Sequence, residues 1–286
     1  MGVPEGMREG RGSQAHVVAA ALTDVGRERE HNEDSFALLE DHGLYVVADG
    51  MGGHSAGDVA SQLATQAVSD FFRQTDHEDA TWPSGFNVKM TEEENRLTTG
   101  IRLANRLVFE RSITNQDLRG MGTTVVGATF SKDGRRLAIA HVGDSRAYRV
   151  RDEKIEQLTR DHSLVSEILA AMPDLPEEQR AELPKNVVTR ALGVQDSVNV
   201  DVGSFEVAEG DVYVLCSDGL SGMLTDEEIL AILSTSPEPK LACLRLVDAA
   251  NDHGGEDNVT VIVLRVGSVA EGAARTQDTL VPPPPS

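Results

Sequence analysis

A series of short β-rich runs, several joined by turns too short to hold a helix, constrains the fold of this chain most strongly. Runs of this length and composition are typical of strands. The turn at Lys132-Asp133-Gly134 predicts a hairpin, and hairpins favour antiparallel sheets. The β-rich runs are 16–23, 43–48, 123–130, 136–142, 145–150, 199–206, 211–216 and 258–265.

Helical periodicity appears in pairs of segments between these runs. Residues 56–72 and 92–111 each carry one apolar stripe, and both separate the second run from the third. Thr225 and the acidic residues after it resemble a helix N-terminus, which predicts a helix to about 233. The apolar residues Leu241, Leu244 and Ala249 predict a further helix over 238–251. Hairpins together with paired helices predict an α+β domain with helices packed outside antiparallel sheets, rather than alternating β-α-β units.

The chain of 286 residues suits one large domain, which we expect over 16–267. Residues 1–15 and 268–286 are rich in small, polar and proline residues and are predicted to be disordered tails, the second a proline-rich spacer. The segment 161–193 contains three prolines and a charged centre, and it is too long for a turn between strands. We interpret it as a partly helical insertion over one rim.

Charge and composition exclude several classes of partner. Twenty-six basic against 47 acidic residues give a net charge of −21, which repels nucleic acid and anionic lipid. No run approaches the ~20 apolar residues of a spanning helix, and the N-terminus lacks the apolar centre of a secretory signal. Cys216 and Cys243 lie in apolar runs and match no metal or redox pattern. We therefore expect a cytoplasmic protein that binds neither nucleic acid nor membrane.

Acidic residues stand at the borders of apolar runs. Asp49 and Asp218 directly follow such runs and are themselves followed by glycine, while Asp257 comes just before one. Asp144 lies between two predicted strands, and Asp34 precedes another short extended run. An ordinary turn explains any single Asp-Gly pair, but turns do not require buried-type sequence beside the acid. We therefore expect these five carboxylates to converge at one sheet edge.

A cluster of this kind implies bound cations. Carboxylates gathered in one site repel each other unless hard divalent ions neutralise them. The sequence offers no plausible cluster of histidine and cysteine ligands, so Mg²⁺ or Mn²⁺ is favoured over Zn²⁺.

Six motifs follow one another along the chain: TDVGREREHNEDS (23–35), ADGMGGH (48–54), GMGTTVV (120–126), HVGDSRAYR (141–149), CSDGL (216–220) and GGEDNVTV (254–261). In order and spacing they resemble the motifs of the metal-dependent type 2C serine/threonine protein phosphatases, the PPM family, in their compact bacterial form. The resemblance runs from about residue 18 to 266. It implies a central sandwich of two antiparallel sheets flanked by pairs of helices, with 161–193 as a flap beside the cleft.

The resemblance also implies an activity, the hydrolysis of phosphoserine and phosphothreonine in proteins by a hydroxide bridging two Mn²⁺ or Mg²⁺ ions. By similarity, Asp49 bridges the two ions, the carbonyl of Gly50 joins the second, and Asp218 and Asp257 hold the first. Asp144 and Asp218 resemble the ligands of a third, weaker ion.

Three further residues take roles from the same resemblance. Arg29 matches the arginine that binds the phosphoryl oxygens, a task suited to a planar fork of donors. Asp34 is expected to orient water around the second ion without binding it directly. The proton for the leaving alkoxide could come from His54 or from water on a metal. His54 is our candidate acid, and capping of the helix that starts near Ser55 is its alternative role.

Two other functions stay open at this point. A catalytically inactive regulator or phosphoprotein-binding module could share the fold, although dead copies usually lose a ligand and none is lost here. An acidic calcium-binding module would need a loop such as DxDxDG, which the sequence lacks. The expected partners are phosphorylated proteins, namely the substrates of a serine/threonine kinase and the kinase itself, and we expect a monomer.

Overall fold

The computed structural model describes residues 16–52, 56–76, 86–176, 179–180, 183–184 and 187–267. The predicted tails, 1–15 and 268–286, lie outside these residues. Two antiparallel sheets pack face to face, and helices cover the outer surface of each. The predicted α+β sandwich flanked by helix pairs is therefore confirmed.

Strands are numbered in chain order. The first sheet runs in space through β1 (His16–Asp24), β11 (Val259–Gly267), β10 (Val212–Cys216), β7 (Arg146–Arg151) and β8 (Lys154–Gln157). The second runs through β2 (Asp34–Leu39), β3 (Leu44–Met51), β5 (Val125–Phe130), β6 (Arg136–Val142) and β9 (Asp201–Glu206), with β4 (Gly122–Thr123) paired to β3.

The helices of the described chain, also numbered in order, are α1 (Ala56–Gln74), α2 (Glu92–Thr114), α3 (Leu164–Ala171), α4 (Asp218–Ser221), α5 (Asp226–Thr235) and α6 (Pro239–Asp252). Short 3-10 turns occupy Glu40–His42 and Gln116–Leu118. Thr91 caps α2 and Thr225 caps α5, each in a reciprocal capping box that satisfies free N–H groups of the first turn. α3 lies within the predicted insertion, whose ends are joined by a bridge between Ser163 and Val188.

Strand β3 has a continuous apolar sequence because its alternate side chains enter two different cores. Leu44 and Val46 pack outward in the core beneath α1 and α2, whereas Tyr45 and Val47 pack inward between the two sheets. The strand is covered on both faces, so both sets of side chains are apolar.

Strand β8 was not predicted from the sequence, and β2 was expected only as a short extended run after Asp34. Both are edge strands that carry polar and partly exposed residues, so neither shows a clear apolar pattern. Within the described residues, no helix combines the length and the apolar character needed to cross a membrane.

Candidate active site

The five predicted carboxylates gather at one end of the sandwich. Asp34 and Asp49 are direct partners across β2 and β3 of the second sheet. Asp218 opens α4 directly after β10, and Asp257 lies just before β11, the strand that pairs with β10 in the first sheet. Asp144 follows β6 and interacts electrostatically with Asp218. The site, which we call the acid cluster, thus joins the two sheets.

Burial and mutual repulsion dominate the electrostatics of the acid cluster. Burial, with the nearby charges of Asp218 and Asp257, raises the pKa of Asp34 to about 8. Burial followed by the charge of Asp218 raises the pKa of Asp144 to about 7. The pKa of Asp49 lies well above its usual value because it is buried beside Asp34 and Asp218. Without cations, the cluster therefore retains protons that exposed aspartates lose.

Hydrogen bonds leave part of the acid cluster unsatisfied. Ser217 Oγ donates to Asp34 Oδ2 at 2.7 Å, and the carboxyl groups of Asp49 and Asp218 share a hydrogen bond. Buried oxygens of Asp34 (Oδ1), Asp218 (Oδ1) and Glu33 (Oε1) find no hydrogen-bond partner among the described residues. A buried carboxylate oxygen without a partner is costly, so these hard donors fit divalent cations that ligate oxygen.

Two glycines of the predicted motifs are required by backbone packing. A Cβ atom on Gly50 would lie 2.0 Å from the carbonyl oxygen of Gly57, and one on Gly219 would lie 2.0 Å from that of Asn258. The structure shows close approach by neighbouring main chain, which fixes Asp49 and Asp218 against α1 and the start of β11.

Arg29 borders the acid cluster. Its Nη2 donates to Asp257 Oδ2 at 2.6 Å, and the side chain is 48% exposed. It helps to line a cleft of about 190 Å³ together with Glu30, His31, Glu33 and Gly52. The guanidinium is therefore both next to the carboxylates and accessible to an anion from solvent. His54, the candidate acid, lies outside the described residues.

Thr124 connects the two ends of the acid cluster. Its Oγ1 accepts from the backbone N–H of Asp49 at 3.2 Å and lies 2.6 Å from Ser145 Oγ, next to Asp144. Thr123 Oγ1 and the Thr124 N–H both donate to the carbonyl oxygen of Asp49 at 2.8 Å. The GMGTTVV motif thus holds Asp49 in place.

Sequence reasoning missed several supporting residues. Asn258 accepts from the Glu33 N–H at 2.7 Å and donates to the carbonyl oxygens of Val25 and His31 at 2.9 and 3.0 Å. Ser217 accepts from the Thr260 N–H at 3.0 Å while it donates to Asp34. Their position beside the motif aspartates was the available signal.

A second group of ligand-type side chains lies outside the acid cluster. Ligand atoms of His141, His162 and Asp201 lie within 4.8 Å of one another, although the sequence showed no histidine cluster. His162 Nδ1 accepts from the Gly143 N–H at 3.0 Å, and Arg190 Nη1 donates to Asp201 Oδ1 at 2.6 Å. A guanidinium therefore already supplies the positive charge, and both ring nitrogens of His162 are engaged, Nδ1 by Gly143 and Nε2 by Arg190 Nη1 at 2.9 Å.

The geometry can be compared with known proteins. Residues 26–245 match the protein phosphatase 2C family. Serine/threonine phosphatase stp of Listeria welshimeri is 37% identical over 255 residues, 87% of this chain and 96% of that protein. Serine/threonine protein phosphatase PstP of Mycobacterium tuberculosis is 37% identical over 247 residues, 86% of this chain and 44% of PstP.

A solved structure extends the comparison to three dimensions. The crystal structure of the catalytic domain of PstP in complex with two manganese ions matches with a TM-score of 0.73 and 37% identity. The match covers 88% of this chain and 99% of that one. Sequence and fold agree, and the chain belongs to the protein phosphatase 2C family.

Proposed function

We propose that this protein hydrolyses phosphoserine and phosphothreonine in proteins, with two Mn²⁺ or Mg²⁺ ions held by the acid cluster. The observation that carries the proposal is the convergence of five carboxylates, all of them buried or partly buried and two of them with unpaired oxygens, beside the accessible Arg29. Relatives named as serine/threonine phosphatases at 37% identity support catalysis over an inactive regulator.

The residues of the cluster divide the work of binding. Asp49 and the carbonyl of Gly50 would hold the second ion, Asp49 with Asp218 and Asp257 the first, and Asp144 with Asp218 a third, weaker one. The manganese-bound PstP domain supports the choice of metal. When bound, such ions activate water as a nucleophile and neutralise the charge of the phosphate.

Protein side chains orient the substrate and move the proton. Arg29 binds the phosphoryl oxygens through its planar fork of donors. Asp34, held by Ser217, orients water near the metals because its Oδ1 remains free to accept. His54 donates a proton to the leaving alkoxide of serine or threonine.

The setting of the reaction follows from the same assignment. The substrates are phosphorylated proteins, marked by a serine/threonine kinase that is itself a substrate. The protein acts as a cytoplasmic monomer through a catalytic domain over 16–267, in which 161–193 forms a flap beside the cleft.

The test is phosphate release from a phosphothreonine peptide by the full chain in Mn²⁺. We expect turnover that stops with a chelator, returns with added Mn²⁺, and is lost in Asp49→Asn. The matched control is Asp152→Asn, an exposed aspartate in the β7–β8 turn, which should retain wild-type turnover. Equal turnover with and without chelator would refute the metal-dependent proposal.

A further inference from the structure

The turn that carries Asp144 is pressed against Thr124 on one side. Gly143 has φ +109°, a conformation that favours glycine. A Cβ atom there would lie 2.5 Å from Thr124 Cβ, and Thr124 Oγ1 also contacts Ser145 Oγ at 2.6 Å. Thr124 thus prevents the turn from moving in its direction.

A single residue, His162, holds the other side of this turn. The backbone N–H of His162 donates to the Gly143 carbonyl oxygen at 3.0 Å, and His162 Nδ1 accepts from the Gly143 N–H at 3.0 Å. Both polar backbone groups of Gly143 are therefore bonded to one residue, next to the Asp144 carboxylate. Because Nδ1 accepts this bond, it carries no proton, and the ring is neutral.

The imidazole of His162 is itself fixed from several directions. Its Nε2 lies 2.9 Å from Arg190 Nη1 and 3.2 Å from Asp201 Oδ2, and Arg190 also bonds to Asp201. The ring stacks on that of His141 with centroids 4.6 Å apart and planes inclined by 10°. Burial lowers the pKa of His162, which favours the neutral ring that this hydrogen bonding requires.

His162 also lies where the two ends of the insertion 161–193 are hydrogen-bonded to each other. The Thr189 N–H donates to the His162 carbonyl oxygen at 2.8 Å, and the Leu164 N–H donates to the Val187 carbonyl oxygen at 2.9 Å. His162 therefore connects the start and end of the insertion to the turn at Gly143.

We propose that His162 is a positioning residue for Asp144: its Nδ1 acceptor fixes the Gly143 amide and so sets the affinity of the metal ion that Asp144 binds. The inference rests on the proposed function, in which Asp144 holds the third ion. It deepens that function by naming the contact through which the insertion acts on the acid cluster.

Two substitutions separate the acceptor at Nδ1 from the rest of the ring. His162→Asn places a carbonyl oxygen near the former Nδ1 and keeps the bond from Gly143. His162→Gln reaches toward Asp201, as Nε2 does, and loses that bond. Asp144→Asn identifies which Mn²⁺ in the titration belongs to Asp144.

Mn²⁺ binding to the full chain is measured by titration calorimetry, beside kcat and KM for a phosphothreonine peptide. We expect His162→Gln to weaken the Asp144-dependent ion about tenfold or more, which corresponds to the loss of one buried hydrogen bond of about 1.4 kcal/mol. His162→Asn should stay within about threefold of wild type, and the tighter ions should be unaffected in both.

Three results would overturn the inference: wild-type affinity in His162→Gln, equal weakening in His162→Asn, or no effect of Asp144→Asn on Mn²⁺ binding. If His162→Gln does not fold, His162→Asn decides alone, since a tenfold weakening there contradicts the acceptor role. An absence of peptide turnover in the wild type would refute the proposed function. The Mn²⁺ titration tests the positioning role of His162 separately, because it measures ion affinity and does not depend on turnover.

Discussion

Arg29 approaches the acid cluster from the loop between β1 and β2, and its charge is half exposed. Arg29→Ala should lower kcat/KM for a phosphothreonine peptide by about 10- to 100-fold, because hydrogen bonds to charged groups contribute about 1.5–3 kcal/mol. The neighbouring exposed Arg27, whose backbone N–H bonds to Gly255, supplies the control. Unchanged kcat/KM in Arg29→Ala, or an equal loss in Arg27→Ala, would contradict the role assigned to Arg29.

Two glycines with nearly the same backbone conformation test the packing behind Asp257. Gly26 has φ +83° and an added Cβ would lie 2.3 Å from the Asp257 carbonyl oxygen, whereas Gly210 has φ +88° and open space around it. Gly210→Ala should cost only the backbone strain, about 1 kcal/mol, and leave turnover intact. Gly26→Ala should lower both the melting temperature and the turnover further. Similar losses in the two variants would show that the contact with Asp257 does not matter.

At the scale of elements, the stacked histidines join strand β6 to the base of the insertion. Burial lowers the pKa of both His141 and His162 below the usual 6.5, against the opposing influence of Asp201. At these two histidines the unfolded chain therefore binds more protons than the folded protein once the pH falls below 6.5, and their contribution to stability declines in that direction. Stability from these groups is fully present above pH 6.5 and is lost as the pH falls toward their folded pKa values.

His141→Gln should reduce this acid sensitivity, because glutamine can still donate to the Arg160 carbonyl oxygen but does not titrate. The measurement is the free energy of unfolding by urea at pH 7.5 and pH 5.5. The control is His253→Gln, an exposed histidine at the end of α6 whose pKa is raised by the Ala249 carbonyl and Glu228. That variant should show a steeper loss of stability on acidification than wild type, so a change of the same sign in both variants would refute the assignment.

At the scale of the whole molecule, the acid cluster lies where the two sheets meet. Asp34 and Asp49 belong to the second sheet, while Asp218 and Asp257 extend from strands of the first. Repulsion among these four carboxylates opposes the packing of the two sheets against each other. Bound cations would neutralise the carboxylates and turn this repulsion into attraction. The acid cluster is therefore a source of instability in the absence of cations, a trade-off common at functional sites.

Asp49→Asn should consequently raise the melting temperature in the presence of a chelator at pH 8. The folded wild type must keep a proton on Asp49 that the unfolded chain releases at much lower pH, and asparagine removes this cost. An increase of about 5 °C is expected for a gain of 1–2 kcal/mol. In saturating Mn²⁺ the order should reverse, because ligand at a hundred times its Kd adds about 2.7 kcal/mol to the wild type. A variant less stable than the wild type in chelator would contradict the repulsion argument.

The sequence by itself determined the architecture and the main carboxylates. Runs such as VVADG and VLCSDG combine an apolar strand with an acid at its end, and this local pattern needs no knowledge of distant residues. The capping sequence at Thr225 and the stripes of α1 and α2 are equally local, so the helix pairs were predictable. The edge strand β8 escaped prediction, and β2 was expected only as a short extended run, because exposed strands need no apolar alternation.

Only the tertiary structure decided how the acids are supported and what the flanking residues do. Ser217 and Asn258 bond to segments about 180 to 230 positions away in the chain, so no local pattern reveals them. The contact between His162 and Gly143 likewise exists because the insertion folds back on β6. Hydrogen bonds and Coulomb forces depend on distance in space, while a sequence pattern records only distance along the chain.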